Sequence, residues 1–351
     1  MTSILVVTTL AAAVMAGEPA KKAAPAAKPA ATAPAKRTAP KTAPKTVPKA
    51  APLAVPKPPP DDFATALAGV KDKNPMARRK ACDEFARLRD PRGVAPLLTL
   101  LSDENGFVRS AAVDALGLLR SPEAIAPVTK RLKEDADAQV RQQAAIALAY
   151  LGAQQAEDAL IAALEDSSGG VRYAALRTLG SLRSQKSAPR LITLLKDADA
   201  GTRRAAAGAL AQVRPPEALD ALQAALKDED ASVRREAVRA IGNFSGDAVK
   251  PALLEALKDA DPLVKIDAAN ALNRFNDPAG EKAVVGLLSH EDAATRGRAA
   301  GVLGSIATKD VGLEALVKAA AAEKDDTIKR QIEFAAQQAR ARLGIPEPEK
   351  K

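Results

Sequence analysis

The sequence predicts an all-α protein, a right-handed α-solenoid of about nine antiparallel helix pairs, and three observations carry that expectation. A basic residue recurs after a small or apolar one at Arg78, Arg109, Arg141, Arg172, Arg203, Arg234, Lys265 and Arg296, at intervals of 31, 32, 31, 31, 31, 31 and 31 residues. A degenerate ninth copy follows at Lys329, after 33 residues. Counting the residue before each marker as zero, positions 0, 4, 7, 8 and 11 are almost always apolar, which is one helical face. They are Val108, Ala112, Ala115, Leu116 and Leu119 in the second unit, and Val233, Ala237, Ala240, Ile241 and Phe244 in the sixth. Four residues before the eight markers stand Asn74, Asn105, Asp137, Ser168, Asp199, Asp230, Asp261 and Asp292, all good N-caps. A short period with one supersecondary unit per copy means stacking, because a lone unit cannot bury its apolar face.

From the N-terminus, residues 4–16 form an uncharged, largely apolar run that is too short to span a bilayer and fits the core of a signal peptide. Val14 and Ala16 suit cleavage before Gly17, although Met-Thr-Ser supplies no Lys or Arg ahead of the run. Residues 17–60 are almost entirely Ala, Pro and Lys, with twelve of the 25 prolines. Proline at that density forbids helix, so this stretch reads as a disordered, extended linker. The repeat domain spans 61–344 and a short tail 345–351.

Within each unit a shorter first helix, such as the one containing Leu97, Leu98, Leu100 and Leu101, precedes the marked second helix. Connections of two to four residues make the pair antiparallel. Pro75 and Pro262 occupy the first helical position, where a missing N–H costs nothing. The last unit carries Arg330, Glu333, Gln337, Arg340 and Arg342 and reads as a polar end cap.

A second series runs six residues before each marker: Asp72, Asp103, Asp135, Asp166, Asp197, Asp228 and Asp259, with His290 in the eighth place. An acid in the turn and a base in the next helix, repeating with the array, imply an Asp–Arg ladder between adjacent units. Its members are Asp103, Arg109, Asp135, Arg141, Asp166, Arg172, Asp197, Arg203, Asp228 and Arg234, with each Arg also serving turn carbonyls. On that reading Arg203→Ala destabilises the fold rather than removing a ligand contact.

The chain has one histidine, one cysteine (Cys82), no tryptophan, two tyrosines and a net charge of +9. Residues 1–60 contribute +8 of that charge, so the repeat domain is nearly neutral and nucleic acid is an unlikely partner. A Cys/His zinc centre is impossible within one chain, and a nucleophilic triad would have to use two singletons. No Walker loop, Rossmann fingerprint or nucleophile elbow occurs. His290 reads as a solvated turn residue. Cys82 occupies position 5, where Val113 and Val238 stand in other units, and reads as a packing residue. No catalytic residue, metal or cofactor is expected.

The pattern Asp-x-Asp-x-x-Val-Arg-x-x-Ala-Ala-x-x-Leu-Gly, seen from Asp197 to Ala211 with Ala for the final Gly, resembles the short HEAT-like repeats associated with phycobilin lyases. That resemblance covers residues 61–344. It implies a solenoid whose second helices line a concave surface that binds a partner, and it does not imply the lyase reaction. A related di-iron hydroxylase needs several His-Glu dipeptides, and this chain has only His290-Glu291.

Positions 2 and 6 of the second helices lie opposite the buried stripe. In the fourth to sixth units they are Tyr173 and Arg177, Arg204 and Gly208, and Arg235 and Arg239. Tyr173, Arg177, Arg204, Arg235 and Arg239 are therefore the expected partner-binding patch. The expected function is a non-catalytic, exported scaffold for a protein partner, with the basic linker making weak contact with an anionic envelope surface. An accessory enzyme of the lyase or hydroxylase type is the alternative.

Overall fold

The computed structural model describes residues 62–246 and 248–346. The expected signal peptide and linker, and all but two residues of the expected tail, lie outside these residues.

The described residues form eighteen α-helices with short 3-10 turns and no strand, arranged as nine successive pairs. The first three pairs are α1 (Asp62–Gly69) with α2 (Pro75–Leu88), α3 (Val94–Leu100) with α4 (Gly106–Leu119), and α5 (Ile125–Glu134) with α6 (Ala138–Tyr150). Next come α7 (Glu157–Ala162) with α8 (Gly169–Ser181), α9 (Ala188–Leu194) with α10 (Ala200–Val213), and α11 (Leu219–Ala225) with α12 (Ala231–Ile241). The last are α13 (Val249–Ala256) with α14 (Pro262–Asn273), α15 (Ala279–Val285) with α16 (Ala293–Ile306), and α17 (Glu314–Ala322) with α18 (Asp326–Leu343). Together they build an α-solenoid.

The helices begin where their caps place them. Asn74, Asn105, Asp137, Asp199, Asp230, Asp261 and Asp292 each accept a backbone N–H of the first turn. Ser168 is the exception: its backbone is in the same extended conformation, but its hydroxyl caps nothing. Several second helices stop at a residue that no glycine marks. Arg89, Arg120, Arg183 and Arg214 adopt left-handed φ of 52–56°, a position where glycine is usual.

Positions 0, 4, 7 and 8 form the core: Val108, Ala112, Ala115 and Leu116 are at most 1% exposed, as are their counterparts Val233, Ala237, Ala240 and Ile241. Each second helix packs along the next, whereas successive first helices stand further apart and lean mainly on their own partners. The second helices therefore form the more closely packed layer of the stack. Close approach needs small residues at position 9. A Cβ on Gly117 would stand 3.1 Å from Ala147 Cα, and one on Gly180 would stand 3.1 Å from Ala209 Cα. The core divides once, near α14: one cluster runs from Ala66 to Leu272, and a second holds Ile266, Ala269 and the last two units.

Candidate functional site

The turns carry a repeated ion-pair geometry. Arg109 donates from Nε (2.9 Å) and Nη2 (2.8 Å) to both oxygens of Asp135 in the next unit. Its Nη1 donates to the Asp103 and Glu104 carbonyls of its own turn (2.9 and 3.2 Å). Arg78–Asp103, Arg141–Asp166, Arg203–Asp228 and Arg234–Asp259 make the same fork. Arg296 makes it with Glu323. Each acid also accepts the N–H two residues on, as Asp135 does from Asp137. One guanidinium thus closes two turns at once.

The electrostatics follow the geometry. Burial penalises the charged form of Asp135, but hydrogen bonds from Arg109 and the Asp137 N–H outweigh it and hold the pKa below the ordinary carboxylate value. The Arg141 fork does the same for Asp166. At Glu323 the Arg296 hydrogen bonds, with the Asp325 N–H, lower the value to about 2.

The expected ladder needs one correction. Arg172 and Asp197 form no ion pair among the described residues, although Arg172 still donates to the Asp166 and Ser167 carbonyls (2.9 and 3.2 Å). A second rung is absent between Lys265 and His290, where the acid is replaced. His290 Nδ1 accepts the Asp292 N–H at 3.0 Å, so the imidazole takes over the turn-closing half of the aspartate's role. His290 is half-buried rather than fully solvated. Cys82 is fully buried, and burial pushes its thiol up to about 12. Among the described residues no group of three or more His, Cys, Asp and Glu is placed to hold a metal ion.

On the second-helix face two arginines of the expected basic patch have acidic partners. Arg235 is paired with Asp267 (3.0 Å), and Arg239 with Asp267 (3.2 Å) and Glu236 (3.7 Å), so acids accompany both of these patch residues. The reason is a rule of the stack: position 6 of one unit faces position 3 of the next. Gln143 at position 3 donates to Asp114 at position 6 (2.6 Å), and Glu236 at position 3 lies against Gly208 at position 6. Burial raises the pKa of Asp114 despite that hydrogen bond.

Arg177 escapes the rule because the residue at position 3 of the next unit is Ala205, which cannot pair with it. Arg177 and Arg204 are exposed and have no ion-pair partner among the described residues. Arg177 lines a notch of about 340 Å³ between α6 and α8 with Tyr150, Tyr173, Gln142, Ile146 and Ser181. Both tyrosines of the chain meet there, 47% and 46% exposed. Tyr150 was not among the expected patch residues. It stands at position 10, one helical turn beyond 2 and 6, and extending that series would have found it.

Stacked helix pairs of this kind define a solenoid repeat protein. A model of HEAT repeats matches residues 63–149, 125–207, 189–273 and 251–337, and the chain belongs to the HEAT-repeat family. It is similar to Escherichia coli YibA, at 20% identity over 77% of this chain and 98% of that one (TM-score 0.49). It is also similar to an engineered protein, at 22% identity over 81% and 89% (TM-score 0.42). A third likeness is to the complex of CpcE and CpcF of phycocyanin lyase from Nostoc sp. PCC7120, at 22% identity over 74% and 100% (TM-score 0.42). A search of curated proteins returns no match.

Proposed function

We propose that this chain is a non-catalytic scaffold that binds a protein partner on the concave face, at the notch between α6 and α8. The observation that carries this reading is the unpaired Arg177, facing Ala205 and flanked by the exposed rings of Tyr150 and Tyr173. Tyrosine and arginine are the residue types that anchor protein interfaces, because they bring large rigid contact area and fixed donors. Arg204, one unit on, extends the cationic surface. The site fits an acidic segment better than a basic one.

The reading includes export through residues 1–16 and tethering by the Pro/Lys/Ala stretch 17–60, whose nine basic residues favour an anionic surface. No helix among the described residues is long and apolar enough to cross a membrane. Mass spectrometry of the mature protein tests export, and an intact Met1 counts against cleavage.

The binding test is affinity capture with the full chain beside two variants, Tyr150→Ala with Tyr173→Ala, and Arg177→Glu with Arg204→Glu. A partner retained by the parent and lost by both variants supports the notch. Arg235→Glu is the contrasting variant, because it disturbs an internal pair rather than the proposed surface. Equal capture by all three rejects the notch. Turnover of an isolated substrate, lost in the notch variants, would overturn the scaffold reading.

A further inference from the structure

One rung of the ladder is open although both of its members are the ordinary ones. Arg172 and Asp197 lie 25 residues apart, the same separation as the closed pair Arg203 and Asp228. Each side chain already holds its usual local contacts. Arg172 Nη1 donates to the Asp166 carbonyl, and Asp197 accepts the Asp199 N–H at 2.9 Å. The Nε–Nη2 edge of Arg172, which carries a carboxylate in every closed rung, carries none here among the described residues. A pocket of about 260 Å³ occupies the gap, with Arg190, Glu165 and Thr202 in its wall.

Arg190 stands in the same wall. It pairs with Glu165 through Nη2, while its Nε is buried with no hydrogen-bond partner. A buried N–H without an acceptor is rare in folded proteins. The other acids nearby are already engaged. Asp166 is held by Arg141, and Asp199 caps its own helix through Thr202. What remains without an ion-pair partner among the described residues is one guanidinium edge and one carboxylate, both in the wall of the same small space.

We infer that this pocket between the fourth and fifth units binds a free α-amino acid, whose two charges replace the missing ion pair. The ligand's carboxylate takes the Nε–Nη2 edge of Arg172, in the way the next unit's aspartate does elsewhere. Its ammonium group takes Asp197. A simple anion would leave Asp197 unpaired beside it, and a simple cation would leave the Arg172 edge unpaired. A zwitterion satisfies both groups. The polar walls and modest volume favour a small side chain.

The test is calorimetric titration of the full chain with glycine, alanine and serine, and with acetate and methylammonium as half-ligands. At least one amino acid is expected to bind with a Kd of about 1 mM or tighter, and each half-ligand about tenfold more weakly. Arg172→Gln and Asp197→Asn are each expected to weaken amino-acid binding about tenfold. Asp197→Asn keeps an acceptor for the Asp199 N–H, so it preserves the turn. Asp228→Asn, in a closed rung, is expected to leave binding unchanged. No saturable binding of any amino acid overturns the inference. Acetate binding as tightly as the amino acids overturns the zwitterion. If Asp197→Asn lowers the ligand-free Tm as much as Asp228→Asn does, the rung is closed in solution and the inference fails.

Discussion

Asp135 shows how much work a single carboxylate does in this stack. Its side chain is 1% exposed and takes both donors of Arg109, one from Arg131 and the Asp137 N–H. Asp135→Ala leaves a part-buried guanidinium without its counter-ion and a turn N–H without its acceptor. The expected cost is about 3 kcal/mol at neutral pH, read as a fall in the denaturation midpoint. The pH dependence has a definite sign. A carboxylate whose folded pKa is depressed stabilises above its unfolded value of about 3.9 and loses that contribution as pH falls through the folded value. The gap between parent and variant is therefore expected to be full above about pH 5 and to shrink steadily below about pH 4. A gap that is unchanged at low pH would show that packing, not the ion pair, accounts for the loss. Cys82 illustrates the opposite outcome at the same scale: a titratable group buried until it behaves as a small apolar one.

At the scale of the helix pair, the missing acid at His290 offers a repair. His290→Asp restores a carboxylate to the turn opposite Lys265 while keeping an acceptor for the Asp292 N–H. A gain of about 0.5 kcal/mol is expected, since lysine lacks the fork of arginine and the pair stays partly exposed. An unchanged or lower Tm would show that Lys265 does not reach the turn. Much of this level was legible in the sequence. The apolar stripe at positions 0, 4, 7, 8 and 11 set the helix phase, and the Asn and Asp caps set the starts. The ends were harder to read, because Arg89, Arg120, Arg183 and Arg214 occupy a conformation that glycine normally announces. The pairing of Asp267 with Arg235 and Arg239 was missed because it joins position 3 of one unit to the face of the one before. Glu281 was missed for a similar reason. It is 4% exposed and accepts the Thr308 hydroxyl and the Gly312 N–H from a turn about thirty residues away. Nothing local distinguishes it from a surface glutamate. The open rung was beyond sequence reading altogether, since Arg172 and Asp197 stand in the same register as pairs that close.

Across the whole array the units are not equally bound to one another. The core divides near α14, and the same junction lacks a rung, because Lys265 and His290 stand where other units carry Arg and Asp. Stacked repeats are stabilised by nearest-neighbour interfaces, so a weak interface divides cooperative units. Hydrogen exchange is expected to show α15–α18 opening at a lower free energy than α3–α12, as a block. A single uniform protection level across the array would refute that division. The closed rungs have a different consequence, one of heredity. Every fork reaches only into the following unit and recurs with the period of the chain. Excising residues 204–234 would bring Arg203 to Asp259 across the same 25-residue span that now separates Arg234 from it. Recombination between copies that carry closed forks can thus add or drop a unit without leaving an unmatched charge at the seam, and the gene can change length in whole repeats while its product keeps a fork across the new junction.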